Sequence, residues 1–188
     1  MTKLRDRNRG FTLLELMIVL LISAIGIALA VPSYESLMQR RETTAKAESL
    51  AAFLAYAQSV AVKRNRGISV QLSYTDANNW CLGVDESLTG CNCTGLDAAD
   101  LCTVEGVTKT IDSSTQTRSN MSAYAADTVF AFDPIRGTMI ADDLAVDHDF
   151  TIQSDNGDFE LQVVISATGR IRVCNSDNSK AVGGVKPC

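Results

Sequence analysis

Two features near the start of this chain could do chemistry: a peptide bond and a carboxylate. The junction reads Arg7-Asn8-Arg9-Gly10-Phe11-Thr12-Leu13-Leu14-Glu15-Leu16, a basic segment ending in glycine and leading into an apolar run. The bond between Gly10 and Phe11 is the candidate processing point. From Phe11 to Val31 there are 21 residues, and Glu15 is the one ionisable side chain among them. At about 1.5 Å rise per residue that run makes about 31 Å of helix, enough to cross a bilayer core. A carboxylate facing lipid there costs on the order of a few kcal/mol. Glu15 therefore needs a partner or marks a site of function.

Six cysteines form the second group: Cys81, Cys91, Cys93, Cys102, Cys174 and Cys188. The first four are spaced C-x9-C-x-C-x8-C, a poor match to the paired C-x2–4-C or histidine spacings that structural zinc draws on. Disulfides are the expectation, and no metal is. Six cysteines allow ~15 connectivities. The simplest joins Cys174 to Cys188 and ties the C-terminal tail into a loop. The other four staple the insertion between Cys81 and Cys102, each of Cys91 and Cys93 pairing outward rather than with the other. Their partners stay open.

The single histidine, His148, lies in Asp142-Asp143-Leu144-Ala145-Val146-Asp147-His148-Asp149. This run lacks the ordered ligand loop with a central glycine that calcium requires, so it reads as a solvated loop. Val182-Gly183-Gly184-Val185 reads as a turn rather than a phosphate cradle. No nucleophile and base are suggested by spacing. The chain is expected to be no enzyme and to need no cofactor. Arg170 and Arg172 alternate with Ile171 and Val173, so on a strand both guanidinium groups stand on one face, where they could grip successive phosphates.

The elements that position these residues begin with a leader. Lys3, Arg5, Arg7 and Arg9 keep the start of the chain in the cytoplasm by the positive-inside rule, so the chain beyond the apolar run is exported. A conventional signal peptide has a shorter core and loses it at an Ala-x-Ala-like site. Here the run is longer, carries Glu15 and passes into a helical pattern without a clean break, although Ala28-Leu29-Ala30 has the cleavage-site pattern. Export supports disulfides, because an oxidising compartment preserves them. The leader holds four basic residues and one acidic residue, so its removal takes the net charge from −5 to −8. That charge weighs against a surface that coats nucleic acid.

Pro32 kinks rather than ends the helix. From Tyr34 to about Arg64, Ala47, Leu50, Leu54, Ala57 and Ala61 fall on one face at spacings of three and four, the stripe of a helix packed on a sheet. Charges, Lys46 among them, cluster at its start; Lys63, Arg64 and Arg66 suit its end, with Gly67 as the stop. The period then changes to two at Ile68, Val70 and Leu72, with Asn78-Asn79 turning into Trp80-Cys81-Leu82-Gly83-Val84. Val129-Phe130-Ala131-Phe132 ends at Asp133-Pro134. Phe150 to Ile152 and Phe159 to Ile165 flank Asn156-Gly157, the strongest hairpin signal in the chain. Ile171 and Val173 mark a last strand. The fold class is α+β, a long N-terminal helix covering antiparallel sheet.

Gly10-Phe11-Thr12-Leu13-Leu14-Glu15 resembles the prepilin-peptidase site of type IV pilins and type II secretion pseudopilins. Phe132-Asp133-Pro134-Ile135-Arg136-Gly137-Thr138 and Gly169-Arg170-Ile171-Arg172-Val173-Cys174 resemble the minor pilin and pseudopilin group represented by FimU, FimT and GspH. The resemblance implies a type IV pilin-like fold: a leader at 1–10, a transmembrane or filament-core helix at 11–31, an amphipathic helix at 32–66 and a disulfide-stapled β-rich head at 67–188. It implies cleavage after Gly10, N-methylation of Phe11, and Glu15 pairing with a neighbouring subunit's N-terminal amine. It implies other minor and major pilins, the prepilin peptidase and the inner membrane of a Gram-negative bacterium as partners. The head faces the periplasm, then the pilus surface. The function implied is priming or capping a pilus through contacts with other minor pilins. Two alternatives remain: a competence pilin binding DNA through the Gly-Arg-x-Arg motif at Arg170 and Arg172, and a GspH-like pseudopilin of a secretion system. The acidic charge makes DNA the less favoured partner.

Overall fold

The computed structural model describes residues 11–93, 101–115, 119–122, 128–140, 148–177 and 179–188. The expected leader with Gly10, and Asp142, Asp143 and Asp147 of the acidic run, lie outside the described residues. The chain divides into two compact units between Met38 and Gln39.

A single helix, α1 (Leu13–Arg64, 52 residues), carries Pro32 in its interior. Proline has no N–H, so the carbonyl of Ala28 loses its intrahelical donor there. In the first unit every residue from Phe11 to Leu37 is exposed. In the second unit Thr43, Lys46, Ala47, Leu50, Leu54, Ala57, Val60 and Ala61 form a buried stripe. The helix stops short of the expected Gly67: Asn65 takes φ 52°. Its N–H donates to the Val62 carbonyl at 3.3 Å, and the Arg66 N–H to that of Ala61 at 3.2 Å. This is the Schellman termination, and asparagine serves it because its short side chain tolerates the left-handed conformation.

Among the described residues, eleven strands come after it: β1 (Ile68–Asp76), β2 (Asn79–Asp85), β3 (Thr103–Val104), β4 (Val107–Thr108), β5 (Thr110–Asp112), β6 (Ser119–Ser122), β7 (Thr128–Phe132), β8 (Met139–Ile140), β9 (His148–Ser154), β10 (Glu160–Ile165) and β11 (Ile171–Asn175). One sheet has the order β5-β2-β1-β7-β8, a second β11-β10-β9-β6, and β3 and β4 form a separate ribbon. The pairings between strands are antiparallel. The β1–β2 turn is held by Asp76, whose carboxylate accepts from the Asn78 N–H and the Asn79 side chain, both at 2.8 Å. These bonds hold the Asp76 carboxyl below the usual carboxylate range. The β9–β10 turn uses Gly157 at φ 74°, as its Asn-Gly pair requires.

The helix stripe shares one apolar cluster with Ile68, Val70 and Leu72 of β1, Phe130 and Phe132 of β7, and Phe150, Ile152, Leu161, Val163 and Ile165 of β9 and β10. One helix face thus covers both sheets. Lys46, one of the charges clustered at the start of the amphipathic stretch, is 2 % exposed. Its ammonium donates to the Ser119 carbonyl of β6 and lies 5.7 Å from the Trp80 ring centre. Beside it, the Tyr74 hydroxyl donates to the Met121 carbonyl at 3.3 Å, and the Met121 N–H to that of Ala77 at 3.3 Å. β6, the end strand of the second sheet, is therefore tied to the helix and to the first sheet.

Candidate assembly site

The helix starts at a cap. The Glu15 N–H donates to the Thr12 hydroxyl at 3.2 Å and the Leu16 N–H to the Thr12 carbonyl at 3.2 Å. Thr12 is the N-cap and Glu15 the third helical residue, the Thr-x-x-Glu spacing of a capping box. The signal for Thr12 stands in the sequence, although the apolar run alone does not point to it. Glu15 lies in the first turn, where the positive end of the helix dipole favours a carboxylate. Its carboxylate is exposed and enters no ion pair among the described residues. Phe11 is 84 % exposed, and Leu13, Leu14, Leu16, Met17 and Ile18 are exposed with it. An amphiphile of this kind, apolar on every side with one acid at its head, is incomplete by itself in water.

A second cluster organises the head around a residue that periodicity did not single out. The Gln58 side-chain amide donates to the Gly137 carbonyl at 2.6 Å and to the Gly169 carbonyl at 2.9 Å. Two turns distant in sequence thus meet on one helix residue. In the first, the Asp133 carboxylate accepts from the N–H groups of Arg136 (2.7 Å) and Ile135 (2.8 Å), which hold its carboxyl below the usual carboxylate range. In the second, the Gly169 N–H donates to the Ser166 carbonyl at 2.8 Å. A Cβ on Gly169, at φ 80°, would stand 2.1 Å from the Gly137 carbonyl oxygen. Only glycine fits where the two turns touch.

Arg170 and Arg172 are exposed and alternate with the half-buried Ile171 and Val173. Both arginines belong to one face at the end of the second sheet, and neither forms an ion pair among the described residues. The solvated loop expected around His148 ends earlier than the acidic run does. His148 and Asp149 already pair with Ile165 and Val164, and the His148 ring stacks on Phe130 with centroids 5.3 Å apart.

The cysteines join as Cys81–Cys93, Cys91–Cys102 and Cys174–Cys188. A Cβ on Gly83 of β2 would meet the Cys102 sulfur at 2.0 Å, so the strand makes room for the staple. At the other end Cys188 holds the tail against β11, where the Asn175 N–H donates to the Lys186 carbonyl at 2.8 Å and the Cys188 N–H to that of Asn175 at 3.1 Å.

Comparison with known proteins gives these observations a context. The family described as type II transport protein GspH matches residues 46–169, and the prokaryotic N-terminal methylation motif matches residues 5–31. A crystal structure of the type IV minor pilin FimU of Pseudomonas aeruginosa, in space group P21, is similar to this chain at 26% identity and TM-score 0.51. It covers 76% of this chain and 93% of its own. A second crystal form of FimU, in space group P65, is 24% identical with TM-score 0.48, covering 73% and 95%. No curated protein matches the chain.

Proposed function

Starting from the chain's membership of the GspH family of minor pilins and pseudopilins, we propose that it is a minor type IV pilin that works by assembly, priming or capping a pilus through other pilin subunits. One observation carries this reading: a stretch from Phe11 to Leu37 is exposed along its whole length, and Glu15 near its start enters no ion pair among the described residues. In the inner membrane lipid covers that surface; in a fibre, neighbouring helices do. Cleavage after Gly10 by the prepilin peptidase creates an amine on Phe11, one residue ahead of the Thr12 cap. N-methylation keeps that amine cationic. Glu15 and the amine of an adjacent subunit then neutralise each other in low dielectric, where an unpaired charge is costly, and the pairing sets axial register. The head presents the Gln58-centred turns and the stapled tail to other subunits.

The test is Glu15→Ala at native expression. The variant should reach the inner membrane as the wild type does and be depleted in the sheared-fibre fraction. Wild-type amounts in sheared fibres would refute the register role.

DNA uptake through Arg170 and Arg172 is a second reading, favoured by the exposure of both side chains. Two arginines supply a small share of the several phosphate contacts that useful affinity needs. A mobility shift that disappears with Arg170→Gln/Arg172→Gln and with added salt would support it. A short periplasmic fibre of a type II secretion system is the third, favoured by the name of the matching family. Copurification with pilus or with secretion components distinguishes it from the first.

A further inference from the structure

The two ends of the second sheet are treated differently. β6 at one end is clasped by Lys46 and Tyr74. At the other end β11 is covered over only part of its length. The Ser166 N–H donates to the Arg170 carbonyl at 3.0 Å, so the backbone groups of Arg170, Arg172 and Cys174 point toward β10. By the alternation of an antiparallel ladder, those of Ile171, Val173 and Asn175 point outward. The tail occupies the outward groups of Asn175. Among the described residues nothing backbone-to-backbone meets those of Ile171 and Val173.

We infer that Ile171 to Val173 is a strand-addition site, completed by an extended segment of a neighbouring subunit that alternates acidic and apolar residues. Three observations specify that partner. The tail already shows the geometry of addition at the same edge, and its bridge of Asn175 with Pro187 stops short of Val173. An exposed row of unpaired N–H and C=O groups is a template for another strand. The two faces of the edge differ in chemistry: Arg170 and Arg172 stand exposed on one, and half-buried Ile171 and Val173 pack against the core on the other. A strand laid beside them puts alternate side chains on each face, acids next to the arginines and apolar residues next to the core. The Cys174–Cys188 link and the packing of Ile171 and Val173 hold the edge in place before the partner arrives. The proposal rests on the assembly reading for the source of the strand. A synthetic peptide tests the edge itself, so either can fail without the other.

The full chain, oxidised and in detergent, is titrated with the capped peptide Asp-Val-Asp-Val-Asp-Val-Asp. The same titration is run with that peptide N-methylated at alternate amides, and with duplex DNA. The expected result is saturable peptide binding with slowed amide exchange at Ile171 and Val173. N-methylation should weaken binding about tenfold or more by removing ladder bonds. Arg170→Gln/Arg172→Gln should weaken it about tenfold, and added salt should weaken the wild type alone. Val173→Pro, which removes an outward N–H at a sheet end where proline is tolerated, should act like N-methylation. Three outcomes overturn the proposal: no binding, binding indifferent to N-methylation, or DNA binding with no peptide protection of Ile171 and Val173. The last would mark a phosphate-binding face instead. The N-methylated peptide needs no protein variant, so a Val173→Pro chain that fails to fold leaves the test intact.

Discussion

The first and second parts of α1 are one continuous helix with opposite surroundings. From Phe11 to Leu37 every residue is exposed, although the sequence there is almost wholly apolar. From Gln39 onward the helix is more polar, and its stripe at Ala47, Leu50, Leu54 and Ala57 is buried to within 1 %. The head satisfies its helix with its own sheets. Under the assembly reading, the anchor finds its cover in lipid or in other chains. Apolar content alone says nothing of where a surface is buried; the source of its partner decides.

That contrast can be broken from either side. Glu15→Ala should have the largest functional effect, a loss of fibre incorporation on the order of tenfold or more, with the thermal transition of the head unchanged. Immunoblots of sheared fibres alongside calorimetry would measure both. Leu54→Ala should do the reverse. It removes a fully buried side chain beneath both sheets, so about 2–5 kcal/mol of head stability should go, seen as a lower denaturant midpoint.

A smaller effect is expected at Gln58→Leu, which leaves the Gly137 and Gly169 carbonyls without their shared donor. Unmade hydrogen bonds of this kind cost about 1–3 kcal/mol, and amide exchange should quicken in both turns. The least effect is the pH slope of Lys46. Burial pushes its ammonium below the usual 10.5, with Asp155 and Glu42 pulling it back. The folded chain therefore gives up this proton at lower pH than the unfolded chain does. The penalty of burying the charge is in full force below the folded value and is relieved as pH rises toward 10.5, so stability should climb across that alkaline window. Lys46→Met should lack the climb in paired denaturation curves.

Local patterns carried the elements that repeat. The helix stripe, the alternating Ile68, Val70 and Leu72, and the Asn156-Gly157 hairpin all have periods or turn residues visible in a window of a few positions. The capping threonine was equally local, in the Thr-x-x-Glu spacing, but the apolar run overshadowed it. The illegible parts depend on distant partners. Lys46 looks like any charge on a helix until β6, 73 positions later, supplies its carbonyl. Gln58 gains a role only when two glycine turns, 79 and 111 positions on, arrive together. Cys81 pairs with Cys93 and Cys91 with Cys102, and Cys102 and Cys93 lie where a Cβ on Gly83 would stand, a proximity that spacing does not encode. The helix stops at Asn65 rather than Gly67, because asparagine too tolerates the left-handed φ of 52° that the termination uses.

The proposed function depends on an anchor that survives processing and keeps its carboxylate. Mass spectrometry of the N-terminal peptide, taken from the protein in sheared fibres, tests this most directly. The expected peptide begins at N-methylated Phe11 and contains Glu15. A mature chain beginning after Ala30 would contradict it, because the apolar helix and its acid would both have been discarded.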